Sequence, residues 1–261
     1  CIYMKAINKY FLIALAGVFL TLTACSDDIE REPSPVPTDG IQAYVYADAT
    51  SLTYLPNDEQ SFVVKVARQK TEEAATVHLS TDAAGVNLPA TVDFAAGEAV
   101  KDVQVTFDIP IGSSLAVTIT IPEEEGYVYA DNTVTVNIAR DYTWLNIGTG
   151  VYTSSAFGQS WPQPIQRAKE ANVYKLVDCI TEGYPMIFTL SADNQTLEAW
   201  ELQETGYEDA TYGMTYYSAK SMVRNGNKLV FTMQLIVSYN GGWGSLGDYV
   251  ETLEFPEGFD L

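Results

Sequence analysis

Between residues 41 and 140, apolar side chains recur at every second position. Phe62, Val64 and Val66 alternate with Val63, Lys65 and Ala67, and Val103, Val105 and Phe107 alternate with Asp102, Gln104 and Thr106. Val117, Ile119 and Ile121 alternate with threonines, as Val134, Val136 and Ile138 do with Thr135 and Asn137. A strand sends successive side chains to opposite faces, so each run predicts a strand with one face in a core and one in water. Pro, Gly, Asp and Asn turns separate the runs. Short strands at this spacing predict an immunoglobulin-like sandwich of roughly seven strands over 41–140, near the usual size of about 100 residues. No helical period of useful length follows residue 25.

Residues 141–261 have a different texture, richer in Tyr, Trp and Gly. Strands are predicted at 173–177, 186–191, 196–203, 214–222, 228–239 and 248–255. The clearest is 228–239, where Leu229, Phe231, Met233, Leu235, Val237 and Tyr239 share a face. Asn225-Gly226 just before it predicts a type I′ hairpin, because Asn-Gly accepts left-handed angles. Residues 141–150 read as the junction. Gly148-Thr149-Gly150 within them reads as a tight turn and is too short for a nucleotide fingerprint. The expected fold class is all-β: an immunoglobulin-like β-sandwich followed by an antiparallel β-meander, an open curved sheet or small barrel. No internal repeat of fixed period is visible.

The first 25 residues follow other rules. Lys5 and Lys9 form a basic start, and an apolar run from Tyr10 to Ala24 ends at Leu22-Thr23-Ala24-Cys25. The run falls short of the about 20 residues that a spanning helix needs and has the length of a signal h-region, with Met4 as its start. Leu22-Thr23-Ala24-Cys25 resembles a lipobox, and Ser26-Asp27-Asp28 resembles the acidic export signal of Bacteroidetes-type surface lipoproteins. The resemblance implies acylation of Cys25, a membrane anchor, and the outer leaflet of the outer membrane. Residues 26–40, acidic and then rich in Pro and Ser, read as a disordered tether.

A second resemblance lies inside the predicted sandwich. Val92-Asp93-Phe94-Ala95-Ala96-Gly97-Glu98 and Lys101-Asp102-Val103-Gln104-Val105 resemble a strand, turn and returning strand of a Calx-beta or related immunoglobulin-like domain, with Gly97 supplying the turn. Calx-beta domains bind calcium through an acidic run after this second strand. Here that place reads Asp108-Ile109-Pro110-Ile111-Gly112, so no metal is expected. Glu123-Glu124-Glu125 reads as a solvated hairpin tip.

Charge narrows the partners. The chain holds 14 basic and 34 acidic residues, a net −20. Loss of the leader takes this to about −22. Phosphate binding needs clustered Lys and Arg, so nucleic acid is not an expected partner. Neither is an anionic lipid surface bound by charge. Cys179 is the one thiol after Cys25, so no disulfide framework forms, and burial is its default. His78, the chain's single histidine, alternates with Val77 and Leu79 and is expected to point outward without catalytic partners.

No zinc motif, nucleophile elbow, phosphate loop or Cys-x-x-Cys pair occurs. No cofactor is expected, and the protein is not expected to be an enzyme. The surviving enzymatic alternative, glycoside hydrolysis, needs two carboxylates about 5–10 Å apart across a cleft. Ligand binding by 141–261 is the sharper expectation. Sugars stack apolar C–H faces on aromatic rings while carboxylates and amides bond their hydroxyls. Residues 204–217 read as a loop interleaving Tyr207, Tyr212, Tyr216 and Tyr217 with Glu208 and Asp209. Residues 239–249 read as a loop offering Tyr239, Asn240, Trp243, Asp248 and Tyr249. Trp243, ringed by glycines, is the first candidate for an exposed ring and Trp161 the second, whereas Trp200 reads as structural in a strand. By resemblance, surface lipoproteins of this kind accompany outer-membrane complexes that capture polysaccharide. A glycan-binding or accessory component is therefore expected, with a structural or adhesive protein that binds another protein as the alternative.

Overall fold

The structure is a computed structural model that describes residues 39–259 and 261. The leader, the expected lipidation site Cys25 and nearly all of the tether lie outside the described residues. The compact unit is Gly40–Leu261, and it is all-β.

Nine strands come first: β1 (Ala43–Tyr46), β2 (Ser51–Tyr54), β3 (Ser61–Arg68), β4 (Ala75–His78), β5 (Val86–Asn87), β6 (Thr91–Phe94), β7 (Val100–Phe107), β8 (Ser113–Thr120) and β9 (Thr133–Arg140). They pair in the orders β1-β3-β7-β5, β2-β9-β8 and β4-β6. A single bridge between Ser80 and Thr120 attaches the last pair to the second sheet. The alternating residues meet in one core: Phe62, Val64 and Val66 face Val117, Ile119 and Ile121. The strand number exceeds seven because short pieces, such as the two-residue β5, extend the sheet margins. Val134, expected inward, is only partly buried.

The turn at 95–98 is tied from below. Arg68 is 4% exposed. Its guanidinium donates to the carbonyls of Glu98, Glu73 and Ala95, each at 2.8 Å. Gly97 takes φ 86°, which side chains resist.

Residues 141–143 lead into nine further strands: β10 (Trp144–Ser154), β11 (Gln159–Ala168), β12 (Val173–Leu176), β13 (Met186–Leu190), β14 (Leu197–Ala199), β15 (Gln203–Asp209), β16 (Gly213–Asn225), β17 (Lys228–Tyr239) and β18 (Gly242–Glu254). They form one antiparallel sheet in the order β14-β13-β12-β11-β10-β18-β17-β16-β15. The sheet curls around a second core that includes Tyr152, Tyr174, Phe188, Tyr217 and Phe231. Its two ends meet through a side chain. The Gln203 amide accepts from the Ile187 N–H at 2.6 Å and donates to the Ile187 carbonyl at 2.7 Å. One side chain thus stands in for a ladder pair between β15 and β13, and the sheet becomes an open barrel.

Several local expectations change. The expected junction at 141–150 is mostly β10, and the Trp-Pro stretch around Trp161 is β11. Gly148-Thr149-Gly150 is no turn: it lies inside β10, beside a bulge between Asn146 and Gly148. A Cβ on Gly150 would collide with the Glu254 carbonyl and stand 2.9 Å from Ile165 Cδ1, so glycine here lets strands approach closely. The ladder with β12 covers only Ile165–Arg167, and past it the Pro164 carbonyl accepts from the Val177 N–H at 3.1 Å, so Pro162 and Pro164 stand at the margin of the pairing, where a missing N–H costs little. The strand expected at 196–203 breaks at Trp200, whose indole N–H bonds the Tyr217 carbonyl at 3.1 Å. Trp200 packs on Phe188 and Phe231, a structural place outside any strand. The stretches 204–217 and 239–249 are hairpins rather than loops.

The two Asn-Gly turns also differ. Asn225 pairs with Lys228, so Gly226-Asn227 are the central residues and only Gly226 has positive φ. That is type II′ geometry, not I′. The I′ pattern belongs to Asn240-Gly241, at φ 52° and 76°.

Gly150→Ala should lower unfolding free energy by about 2 kcal/mol, within the range for overpacking. Gly97→Ala has open space around it and should cost about 1 kcal/mol for its backbone angle. Urea denaturation of both variants checks this order.

Candidate functional site

Four connections gather at one end of the barrel: the β10–β11 turn, the β12–β13 loop, the β15–β16 turn and the β17–β18 turn. Ring contacts define the gathering. Phe157 meets Tyr207 edge-on at 5.2 Å, and Tyr212 meets Tyr239 at 5.4 Å. The β12–β13 loop lies flat on β15, because a Cβ on Gly206 would stand 2.6 Å from Thr181 Cβ and collide with the Tyr184 ring.

Trp243 opens β18 opposite Ser238. It is 58% exposed, and it meets the Tyr216 ring edge-on at 5.1 Å. Tyr239 is 55% exposed. Tyr207 and Tyr212 are exposed as well. The Tyr216 hydroxyl donates to Glu204 at 3.4 Å. The rings form perpendicular pairs, an arrangement their quadrupoles favour. Tyr207, Tyr212, Tyr216, Tyr239 and Trp243 therefore share one end of the fold.

Three other expected residues stand apart. Trp161 turns to the barrel interior, against Tyr152 at 5.1 Å, with its indole N–H on Gln163 at 3.2 Å. It pairs with Tyr152 across β10–β11 and shares that ring's inward face, so it offers no exposed platform. Asp248 lies five residues beyond Trp243, roughly 15 Å along the strand, and Lys220 binds both its oxygens at 2.6 and 2.7 Å. Tyr217 is fully buried, because period two sends it opposite to Tyr216.

Beneath this end lies a group that the sequence reading missed. Glu251 is fully buried on the inner face. Its Oε1 accepts from the Ser154 hydroxyl at 3.0 Å and the Ala156 N–H at 3.3 Å. Its Oε2 and the hydroxyls of Tyr152 and Tyr217 are buried without hydrogen-bond partners. Burial raises the Glu251 pKa above the ordinary glutamate value, and the bonds from Ser154 and Ala156, with the nearby Tyr152 and Tyr217 hydroxyls, oppose the rise only in part. Burial also pushes Tyr152 and the Cys179 thiol well upward. The signal was present: Glu251 alternates with Leu253 and Phe255 in the predicted strand, which assigns it to the core face.

His78 points outward as expected, but it does have a partner. Its Nδ1 lies 2.5 Å from Glu125 Oε1, and the His78 backbone N–H donates to Oε2 at 2.8 Å. Glu123–Glu125 is a 3-10 turn rather than a free hairpin tip, with Glu125 drawn onto β4. Among the described residues no three His, Cys, Asp or Glu side chains are placed to hold a metal.

No family model matches the chain, and no curated protein matches it. Solved structures do. A protein of unknown function from Bacteroides ovatus aligns at 11% identity and TM-score 0.38, covering 82% of this chain and 93% of its own. The calcium binding domain CBD12 of CALX1.1 aligns at 16% and 0.32, over 56% of this chain and 81% of its own. An auxiliary nutrient binding protein from Bacteroides thetaiotaomicron aligns at 11% and 0.31, over 78% and 90%. At these scores the likenesses carry no argument about function.

Glu251 binds its proton more tightly folded than unfolded. The stability it contributes is complete below the unfolded pKa and is lost as pH rises through the folded one. Glu251→Gln keeps a carbonyl for Ser154 and Ala156 and cannot ionise. In urea titrations its stability relative to the parent should therefore be greater at pH 8 than at pH 5. An equal difference at both values would mean that burial does not govern this carboxyl.

Proposed function

We propose that this protein is a non-catalytic, lipid-anchored surface protein that binds glycan at the aromatic end of its barrel. It would act as an accessory component of a polysaccharide-capture system. The observation that carries the reading is the set of exposed rings, Tyr207, Tyr212, Tyr239 and Trp243. They give flat apolar faces for sugar C–H groups, and Glu204, Glu208 and Asp209 on the neighbouring β15 supply acceptors for hydroxyls. The anchor reading rests on Leu22-Thr23-Ala24-Cys25 and the acids behind it, and the outer membrane follows from that resemblance. Among the described residues no helix is long and apolar enough to cross a membrane.

The non-catalytic reading is supported by the state of the reactive groups. The Cys179 thiol is buried and held protonated, and Glu251 is sealed in the core. His78 is paired with Glu125 on an exposed strand.

One observation favours the second reading, contact with another protein. On the outer face of the barrel Val151, Val223 and Val250 are exposed. The register sets Thr153, Thr232 and Thr252 among them, with the Lys228–Glu254 ion pair beside Val151, which makes a β-branched patch with a charged rim, of the kind that partner surfaces cover.

A glycan array probed with residues 26–261 separates the two. A reproducible hit lost in Trp243→Ala, with Tm within about 2 °C of the parent, is the expected result, since an exposed ring contributes little to stability. A blank array from a folded protein moves the weight to the valine patch. Cys25→Ala should shift the protein from the membrane to the soluble fraction on cell fractionation. Unchanged membrane recovery would remove the lipobox reading.

A further inference from the structure

We infer that the cleft between the sandwich and the barrel is a second ligand site, built for a short neutral saccharide. The cleft encloses about 480 Å³, within the range of small-molecule sites, which gather where two structural units meet. The cleft and the tip of the aromatic end take different parts of β15: Gln203, opposite Tyr217, lines the cleft and Asp209, opposite Gly213, reaches the tip, four steps along β16 or about 13 Å.

One wall is aromatic and held in place. Tyr142 and Trp144 meet edge-on at 5.4 Å. Asp141 fixes both residues, accepting from the Tyr142 backbone N–H at 2.7 Å and from the Trp144 indole N–H at 2.9 Å. The Tyr142 ring is seated on Gly112, where a Cβ would stand 2.5 Å from Cζ. A glycine is doubly required there, since its φ is +81°. The Lys175 ammonium lies 4.0 Å from the Trp144 ring centroid, which locks that ring further. These rings are preorganised, so a ligand stacking on them orders little that was mobile.

Charge selects the class of ligand. The chain is at −20, and the cleft keeps that acidic balance: Asp141 and Glu201 line it with Arg140, and Glu170 joins both acids in acting on the Tyr142 hydroxyl, against the single Lys175 on the Trp144 ring. Acidic surroundings disfavour an anionic ligand, and the fixed rings favour one with apolar faces. Donors and acceptors both face it. Ser114 brings a hydroxyl and Glu201 a carboxylate, while the Ser113 hydroxyl donates to the Pro110 carbonyl at 2.7 Å and is left as an acceptor. Arg140 uses its terminal nitrogens on the carbonyls of Ile109 and Pro56 at 2.9 and 2.7 Å, and its Nε is buried without a partner. Aromatic walls with mixed hydrogen-bonding groups match a sugar ring, apolar on its faces and hydroxylated at its edge.

The test is calorimetric titration of residues 26–261 with cellohexaose, xylohexaose and mannohexaose. Ser114 is exposed at the cleft wall, so Ser114→Trp fills the cleft without entering either core. Glu201→Ala removes an acceptor from an exposed position. The expected result is binding that falls at least tenfold in Ser114→Trp and at least threefold in Glu201→Ala, and that persists in Trp243→Ala. Should Ser114→Trp lower Tm, Glu201→Ala decides alone. Binding that survives both cleft variants overturns the proposal, and if Trp243→Ala abolishes it the aromatic end stands by itself. Binding lost in the cleft variants and intact in Trp243→Ala supports the cleft, and the glycan array reports on the aromatic end independently. Absence of binding by all three hexasaccharides overturns the cleft assignment.

Discussion

The barrel depends on the pairing of β10 with β18. Strands β10 to β14 form one meander and β15 to β18 another. Among the described residues, main-chain bonds join them where Val151–Ser155 meet Glu254–Val250. The paired segments are about 100 residues apart, and closing such a loop costs about 4 kcal/mol of chain entropy before any contact offsets it. The return is a single enclosed core in place of two half-exposed sheets. The same pairing sets Gly150 against the Glu254 carbonyl and brings the Glu251 carboxyl to Ser154. On the far side of the curl, Gln203 completes the enclosure with one side-chain amide.

That pairing also organises the aromatic end. Glu251 accepts from Ser154 and from the backbone of Ala156, and the Ser154 hydroxyl in turn accepts from the Phe157 N–H at 3.2 Å. Phe157 then supports Tyr207. A buried acid is costly unless hydrogen-bonded. Here its bonds hold a turn whose aromatic residue braces the exposed rings. The polar group in the core and the apolar groups on the surface are thus two ends of one chain of contacts.

The free edges of the sheet are managed rather than hidden. Strand β14 has three residues, and β15 carries a register shift between Glu204 and Glu208. Short or bulged edges resist pairing with another chain. The strong acidity of the surface works in the same direction by mutual repulsion.

Period-two alternation was legible wherever a strand had one wet and one dry face. Phe62–Val66, Val117–Ile121 and the long run from Leu229 to Val237 could be assigned face by face from the residues alone, because the pleat makes that a local property. Glu251 was legible by the same rule, through its phase with Leu253 and Phe255. Strands β10 and β11 were not, since Gly148, Gly150, Pro162 and Pro164 carry local signals for turns. Only the neighbours Glu254 and Ile165, remote in sequence, show that a glycine at 150 serves close packing. Likewise Asp141, Tyr142 and Trp144 read as a junction, and only their meeting with Gly112 and Lys175 makes them a wall. Which residues face inward follows from backbone geometry along the chain. Which inward residues meet is decided by register between distant strands, and that is set by the packing of the whole sheet.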